Sequence, residues 1–280
     1  MATKKEAYVD EAYTTAPPAG WKDYDTFVKT MNEVRLPTTK ELAGKSMSFK
    51  FDSGDITVKF NADTIEWTFG NKKGNDTYWA TLVAPNIYFL NWIDQQLKDE
   101  AHCIVVDTNT YRAVHVFDYV KKPPVPGEPP IGQTFAAGVL LGGTPTGMVP
   151  CKTKELTGLH AIYTYKNPSE GDEGHSYEHY YTTSEYFCWK GLAGPQKGDC
   201  AMEPAEYWKF ADNQFVFGWT EVIIPCSPVW FICFDGSFGD NYETGTFYKC
   251  NSDKTLKCEL AGATIEKLVT TYYPKRFGKL

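Results

Sequence analysis

The stretch Ala84-Pro-Asn-Ile-Tyr-Phe-Leu-Asn-Trp92 lines up without a gap on Ala211-Asp-Asn-Gln-Phe-Val-Phe-Gly-Trp219, sharing the Ala, the Asn, an aromatic residue and the Trp. Around it Tyr78-Trp79 answers Tyr207-Trp208, Trp67 answers Trp189, Ile104-Val-Val-Asp107 answers Ile232-Cys-Phe-Asp235, and Leu42-Ala-Gly44 answers Leu156-Thr-Gly158. An offset that stays near about 120 residues marks a chain built twice from one structural unit. Each half must therefore bury its own apolar face.

The unit reads as antiparallel β structure. From Ser46 onward Met47, Phe49 and Phe51, then Ile56, Val58 and Phe60, alternate on either side of Asp52-Ser-Gly54, a hairpin signal. Further strands are predicted over 64–69, 78–83, 87–92, 103–107 and 113–117. Each half is then a meander of about 110 residues, enough for one closed barrel of eight to ten strands. Closure removes sheet edges that strands this aromatic could not safely expose. The Lys121-Lys-Pro-Pro-Val-Pro-Gly-Glu-Pro-Pro130 segment cannot be regular structure, because its prolines lack donors and fix φ. Phe135–Leu140 lines up with the stretch around Thr244-Gly-Thr-Phe247, so the proline-rich segment reads as an excursion before the last strand of the first half. The predicted fold is all-β: two tandem calycin (lipocalin-like) antiparallel barrels with a short N-terminal helix. Residues 1–40 form a tail and that helix, 41–147 the first barrel with its excursion at 121–130, and 154–275 the second. The helix is expected from Phe27, Met31 and Val34 at near-helical spacing, stopped by Pro37, and placed to cap a barrel end or cover a sheet edge.

Composition narrows the partners. A net charge of −7 with no basic cluster argues against nucleic acid. An aromatic content of 15% favours a pocket for a flat organic ligand. No apolar leader or membrane-length run is present, so a cytoplasmic chain with no membrane partner is expected. In that compartment the eight cysteines read as free thiols. The C-terminal Gly278-Lys-Leu280 is the one hint of a peroxisomal address. Oligomeric state stays open, a homodimer included.

Strand parity picks out a candidate site in the second half. Tyr163 and Tyr165 share one face of Leu159–Tyr165, and His175, Tyr177 and His179 share one face of the next strand. If those faces point inward, they line a pocket with phenols and imidazoles. His175-Ser-Tyr-Glu-His179 also spells a zinc-binding string, but that string needs a helix and the neighbouring Tyr and Thr residues favour a strand, so no metal is expected.

The pattern Ile162-Tyr-Thr-Tyr165, Tyr177-Glu-His-Tyr180 and Phe217-Gly-Trp-Thr-Glu221, with Val83-Ala-Pro-Asn-Ile-Tyr88 in the first half, resembles the MoaF-like proteins. That resemblance covers residues 42–250 and implies two lipocalin-like domains. The second half is also similar to phenolic acid decarboxylases, single calycin barrels that need no cofactor. Carried over residue by residue, this second resemblance implies that Tyr163 and Tyr165 hold a substrate carboxylate. His175 and Tyr177 would line the next strand, Lys190 would stand where that family has an Arg, and Asp212 would stand where it has its proton-donating Glu.

Catalytic roles are therefore expected for Asp212, His179, Tyr163 and Tyr165, and substrate-binding roles for His175, Tyr177, Lys190 and Trp219. Trp219 mirrors Trp92 across the repeat, which equally suits core packing. The reading is a cofactor-independent lyase, isomerase or cyclase acting on a small conjugated molecule, phenolic or acidic. It would work by acid–base chemistry, through a quinone-methide-like intermediate, in secondary metabolism. The alternative is a lipocalin-like carrier of an aromatic or lipid-like ligand, which needs no buried acid.

Overall fold

A computed structural model describes residues 23–125, 127–221 and 223–272. The 1–20 tail and the Gly278-Lys-Leu280 terminus lie outside the described residues. Eight strands close the first barrel: β1 (Ser46–Phe51), β2 (Gly54–Phe60), β3 (Thr64–Phe69), β4 (Lys72–Ala84), β5 (Ile87–Ile93), β6 (Glu100–Asp107), β7 (Arg112–Val120) and β8 (Ile131–Leu140). Closure comes from β1 pairing with β8, Phe49 opposite Leu140. The second barrel follows as β10 (Leu159–Lys166), β11 (His175–Tyr180), β12 (Tyr186–Ala193), β13 (Cys200–Ala211), β14 (Gln214–Trp219), β15 (Cys226–Phe238), β16 (Asp240–Cys250) and β17 (Leu256–Thr270). Here β12 pairs with β13 to complete the ring, and the two-residue β9 (Cys151–Lys152) adds to the edge of β13. The proline-rich excursion joins β7 to β8. In strand order β8 is the counterpart of β17, so its expected match to Thr244–Phe247 on β16 is one strand out of step.

The repeated Ala-x-Asn triplet is the β4–β5 turn in one barrel and the β13–β14 turn in the other. Asn86 and Asn213 both take a left-handed backbone, φ 67° and 58°. Asn tolerates that conformation better than most residues, so both turns need it at the same place.

Strands β5 and β14 are buried at every position, an exception to alternation. Their outer faces are covered because the two barrels pack side against side. Val83, Phe89, Val105, Val114 and Val116 of the first share one apolar core with Phe210, Val216, Phe231 and Tyr248 of the second. Polar contacts cross the same seam. Tyr242 donates to the Val83 carbonyl, Cys103 Sγ lies 3.2 Å from the Tyr248 hydroxyl, buried Asp118 accepts from Ser227 Oγ at 2.5 Å, and Gln133 Nε2 donates to Ser227 Oγ at 2.8 Å.

The N-terminal helix is shorter than its spacing predicts: α1 (Tyr24–Phe27), capped by Asp23, then a 3-10 turn at Val28–Thr30. Its end has a local cause. The Met31 carbonyl accepts from Gly262 N of β17 at 2.9 Å instead of continuing the helix. A side chain at Gly262 would meet Arg35 Cα at 2.5 Å, so only glycine admits this close crossing. Although it precedes the first barrel in sequence, this segment caps the second. Tyr24, Phe27, Val28 and Met31 belong to the second barrel's core.

Because one apolar core serves both barrels, Phe231→Ala should cost about 3–5 kcal/mol, and tryptophan fluorescence in a denaturant titration should show both barrels unfolding in one transition. Two separated transitions would contradict the shared core.

Candidate functional site

On β10 every second residue is buried, which turns Tyr163 and Tyr165 inward; on β11 the same rule turns in His175, Tyr177 and His179. Trp219 is buried on β14 beside them. The structure thus gathers these six sequence-picked residues in one interior. Two others it does not. Asp212 is 94% exposed in the β13–β14 turn, paired with Lys209 at 3.2 Å. It occupies the slot Pro85 fills in the first barrel, the tip of a tight turn, and cannot reach the interior. Lys190 is also exposed, because its parity on β12 is opposite to that of buried Trp189; it pairs in register with outward-facing Glu178.

The interior acids come from elsewhere. Glu203 on β13, Glu221 just after β14 and Glu243 on β16 are all almost fully buried. Tyr165 donates to Glu243 Oε1 at 2.5 Å, and Trp219 Nε1 donates to Glu221 Oε1 at 2.8 Å. Burial pushes the Glu243 carboxyl up to about 8, against the smaller pull of the Tyr165 hydrogen bond. Burial likewise raises Glu221 and Glu203, the latter further through the charge of Glu221. Glu203 and Glu243 thus keep their protons at neutral pH, while Glu221, raised to about 7, stands near the midpoint of its titration.

The histidines are tuned the opposite way. Burial depresses His179 to about 3 and, with help from Lys166, His175 to about 4, so both imidazoles are neutral. His179 stacks on Tyr163 at 4.1 Å between ring centroids, and its Nδ1 has no partner among the described residues. Tyr163 and Tyr181 share a 2.5 Å hydroxyl contact. A polar chain runs inward from the cap: Thr30 Oγ1 to His175 Nδ1 at 2.8 Å, His175 Nε2 to the Tyr177 hydroxyl at 2.8 Å, and that hydroxyl to Gln196 Oε1 at 2.5 Å. Gln196 reaches the interior because its loop folds back over β12 at Gly191, where any side chain would meet the Gln196 carbonyl at 1.9 Å.

Tyr165, Tyr177, His179, Trp189, Trp219 and Glu221 surround an internal cavity that Phe27, Met31 and Phe247 help to close. It encloses about 320 Å³ between atoms, of which about 20 Å³ admits the centre of a water molecule. A ligand therefore enters only if the Phe27–Met31 cap yields. A larger open cleft, about 1180 Å³ between atoms, lies at the junction of the barrels. None of its titratable lining side chains is buried, so chemistry favours the closed cavity. Four residues apart on a strand, His175 and His179 are separated by about 13 Å along β11, too far to share an ion. Among the described residues no three His, Cys, Asp or Glu side chains converge as metal ligands, and no helix is long and apolar enough to cross a membrane.

Glu221 stands in the Trp-Thr-Glu motif and shares the parity of Trp219, a signal sufficient to place it inward. Glu203 and Glu243 share parity with Tyr207 and Phe247 in the same way. Gln196 has no such signal, since its position depends on a folded-back loop.

Two calycin-like barrels in tandem, the second with three acids buried among phenols and imidazoles, define the class. Residues 19–121 match the MoaF N-terminal domain and residues 150–271 the MoaF C-terminal domain, so the chain belongs to the MoaF family. Protein MoaF of Klebsiella aerogenes is 27% identical over 203 residues, which span 68% of this chain and 73% of that protein. A solved structure described as a "putative beta-lactamase from Burkholderia vietnamiensis" covers 38% of this chain and 97% of its own, at 16% identity and a TM-score of 0.30; nothing is drawn from a likeness of that size.

The acids and histidines make opposite demands on pH. The unfolded chain has carboxyls near about 4 and histidines near about 6.5. Between those values the folded state keeps carboxyl protons that the unfolded chain releases and lacks histidine protons that it binds, so the two sets oppose. Above about pH 6.5 the histidines are neutral in both states, and the raised carboxyls alone make stability fall as pH rises through 7 and 8. Glu243→Gln removes one of them and should flatten the fall of the thermal midpoint between about pH 6.5 and 8.5, by up to about 1.4 kcal/mol per pH unit. Parallel profiles for wild type and variant would contradict the assignment.

Proposed function

We propose that the second barrel is the active site of a cofactor-independent enzyme, a lyase, isomerase or cyclase, acting on a small conjugated molecule by proton transfer. What carries this reading is the combination on one cavity of a buried carboxyl, Glu221, and a neutral imidazole, His179. A carrier gains nothing from burying three carboxyls, each of which costs folding free energy as pH rises. An enzyme gains a carboxyl poised to give and take a proton near neutral pH, beside an imidazole that stays neutral.

In this reading Glu221 donates a proton to the conjugated system and its carboxylate takes one back, while neutral His179 presents its unpartnered Nδ1 to the substrate. Trp219 orients Glu221 through its indole N–H, and Tyr163 fixes the imidazole plane by stacking. Glu243 lies one layer behind, where its short contact keeps the Tyr165 ring in place on the cavity wall. Closure by Phe27 and Met31 excludes water, which strengthens every dipole aimed at developing charge. The conjugated substrate supplies the delocalisation, so charge spreads along it as the proton arrives. A dry, aromatic enclosure also protects a quinone-methide-like intermediate from solvent.

Mass-spectrometric turnover of a panel of hydroxycinnamic acids, their ketone analogues and other quinone-methide precursors tests this reading. Glu221→Gln should lower the turnover number about 10²–10⁴-fold while leaving the circular dichroism spectrum unchanged. Full activity in that variant would remove Glu221 as the acid. Saturable binding without product from any member would favour the carrier instead.

A further inference from the structure

We propose that the second barrel takes a neutral, conjugated carbonyl compound, its oxygen held by the Gln196 side-chain amide, and excludes carboxylate anions. The acid–base reading enters only as the location of the ligand.

Charge is the first argument. No Lys or Arg lines the cavity. The cations whose fields reach the groups behind its walls, Lys166 at His175 and Lys249 at Cys226, are already engaged by carboxylates. Lys166 pairs with Asp172 at 2.7 Å and Glu33 at 3.4 Å, and Lys249 pairs with Asp25 at 2.7 Å. An anion in this interior would lose its hydration, meet no counter-charge and lie among three buried carboxyls. Burying a charge on those terms is prohibitive, whereas a neutral carbonyl needs only a donor.

The second argument is a count of donors. Of the tyrosines that the decarboxylase resemblance assigns to a carboxylate, Tyr165 has its proton committed within the wall, and Tyr163 lies outside the cavity lining. Tyr165 donates to Glu243, and Tyr163 and Tyr181 share their contact. Tyr177 donates to Gln196 Oε1. In the tautomer with His175 protonated at Nε2, the Tyr177 hydroxyl accepts from His175 and gives its one proton to Gln196 Oε1, which turns the Nε2 hydrogens away from the tyrosine. Gln196 Nε2 is left with two hydrogens and no partner among the described residues, on a side chain that is 3% exposed and lines the cavity. A buried amide N–H₂ without an acceptor is costly unless a ligand completes it. The chain from Thr30 through His175 and Tyr177 links this donor to the cap, so the amide is oriented when the cap is closed.

Two probes of nearly the same shape separate the possibilities: 4-phenyl-3-buten-2-one, a neutral enone, and trans-cinnamate, in which a carboxylate replaces the methyl ketone. Both must displace Phe27 and Met31 to enter, so the cap does not discriminate between them. Quenching of the interior tryptophans by the wild-type protein at neutral pH should give saturable enone binding at least about tenfold tighter than that of cinnamate. Gln196→Leu, similar in size and lacking the donor, should weaken the enone by about tenfold or more and leave the thermal midpoint close to wild type. Equal or tighter binding of cinnamate overturns the proposal, as does absence of saturable enone binding or an unchanged enone affinity in Gln196→Leu. Because the wild-type comparison stands without the variant, a folding defect in Gln196→Leu does not decide the outcome. Enone binding without turnover of any substrate supports this proposal while counting against the acid–base reading.

Discussion

A carboxyl group closed off from water and from every cation keeps its proton to higher pH, and the second barrel depends on that constraint at Glu203, Glu221 and Glu243. Their burial is a consequence of closure. Once eight strands join edge to edge, every inward position is sealed, and a residue placed there must find its partner inside. The first barrel meets this demand mostly with hydrocarbon and aromatic rings, such as Phe49, Val58, Trp67 and Trp92, together with the paired imidazoles of His102 and His115 and an Asp76 held by Trp67. The second meets it with phenols, imidazoles and carboxyls that bond one another. The same scaffold, built twice, thus carries two different interiors, the second richer in phenols and carboxyls.

The first half also acts through the seam and the cap. Outer faces of the strands around β5–β7 and β14–β16 bury each other, which fixes the barrels side by side. The segment that leads into the first barrel crosses to close the second, so Phe27 and Met31 become part of the second barrel's cavity. Its anchors are few and partly exposed: Asp25 with Lys249 and Lys257, Thr30 with His175, and the Met31 carbonyl with Gly262. A cap held this way is the natural point of entry, since the ring of strands offers none.

Most of the fold was legible in the sequence because alternation and duplication are properties of the chain itself. The Ala-x-Asn turns, the Asp52-Ser-Gly54 hairpin and the inward parity of Tyr163, Tyr165, His175, Tyr177 and His179 all follow from local chemistry. The helix was overestimated because the crossing at Gly262, a contact distant in sequence, ends it. Asp212 was misplaced because a family's acid was carried onto a residue whose own surroundings, Ala211 and Asn213, describe a turn. Lys190 failed for a related reason: its parity against Trp189 points outward. Glu203 and Glu243 escaped notice because an acid on a strand ordinarily marks the solvent face. Gln196 could not be found at all without the backbone approach that Gly191 permits.

The central claim is that interior carboxyls of the second barrel are neutral at physiological pH. Infrared difference spectroscopy of wild type against Glu243→Gln and Glu221→Gln at neutral pH reads this directly, through the carbonyl stretch that only a protonated carboxyl shows. The account predicts such a band in the wild type, diminished in each variant and shifted in heavy water. Its absence, with only ionised carboxylate bands removed by the substitutions, would contradict the account.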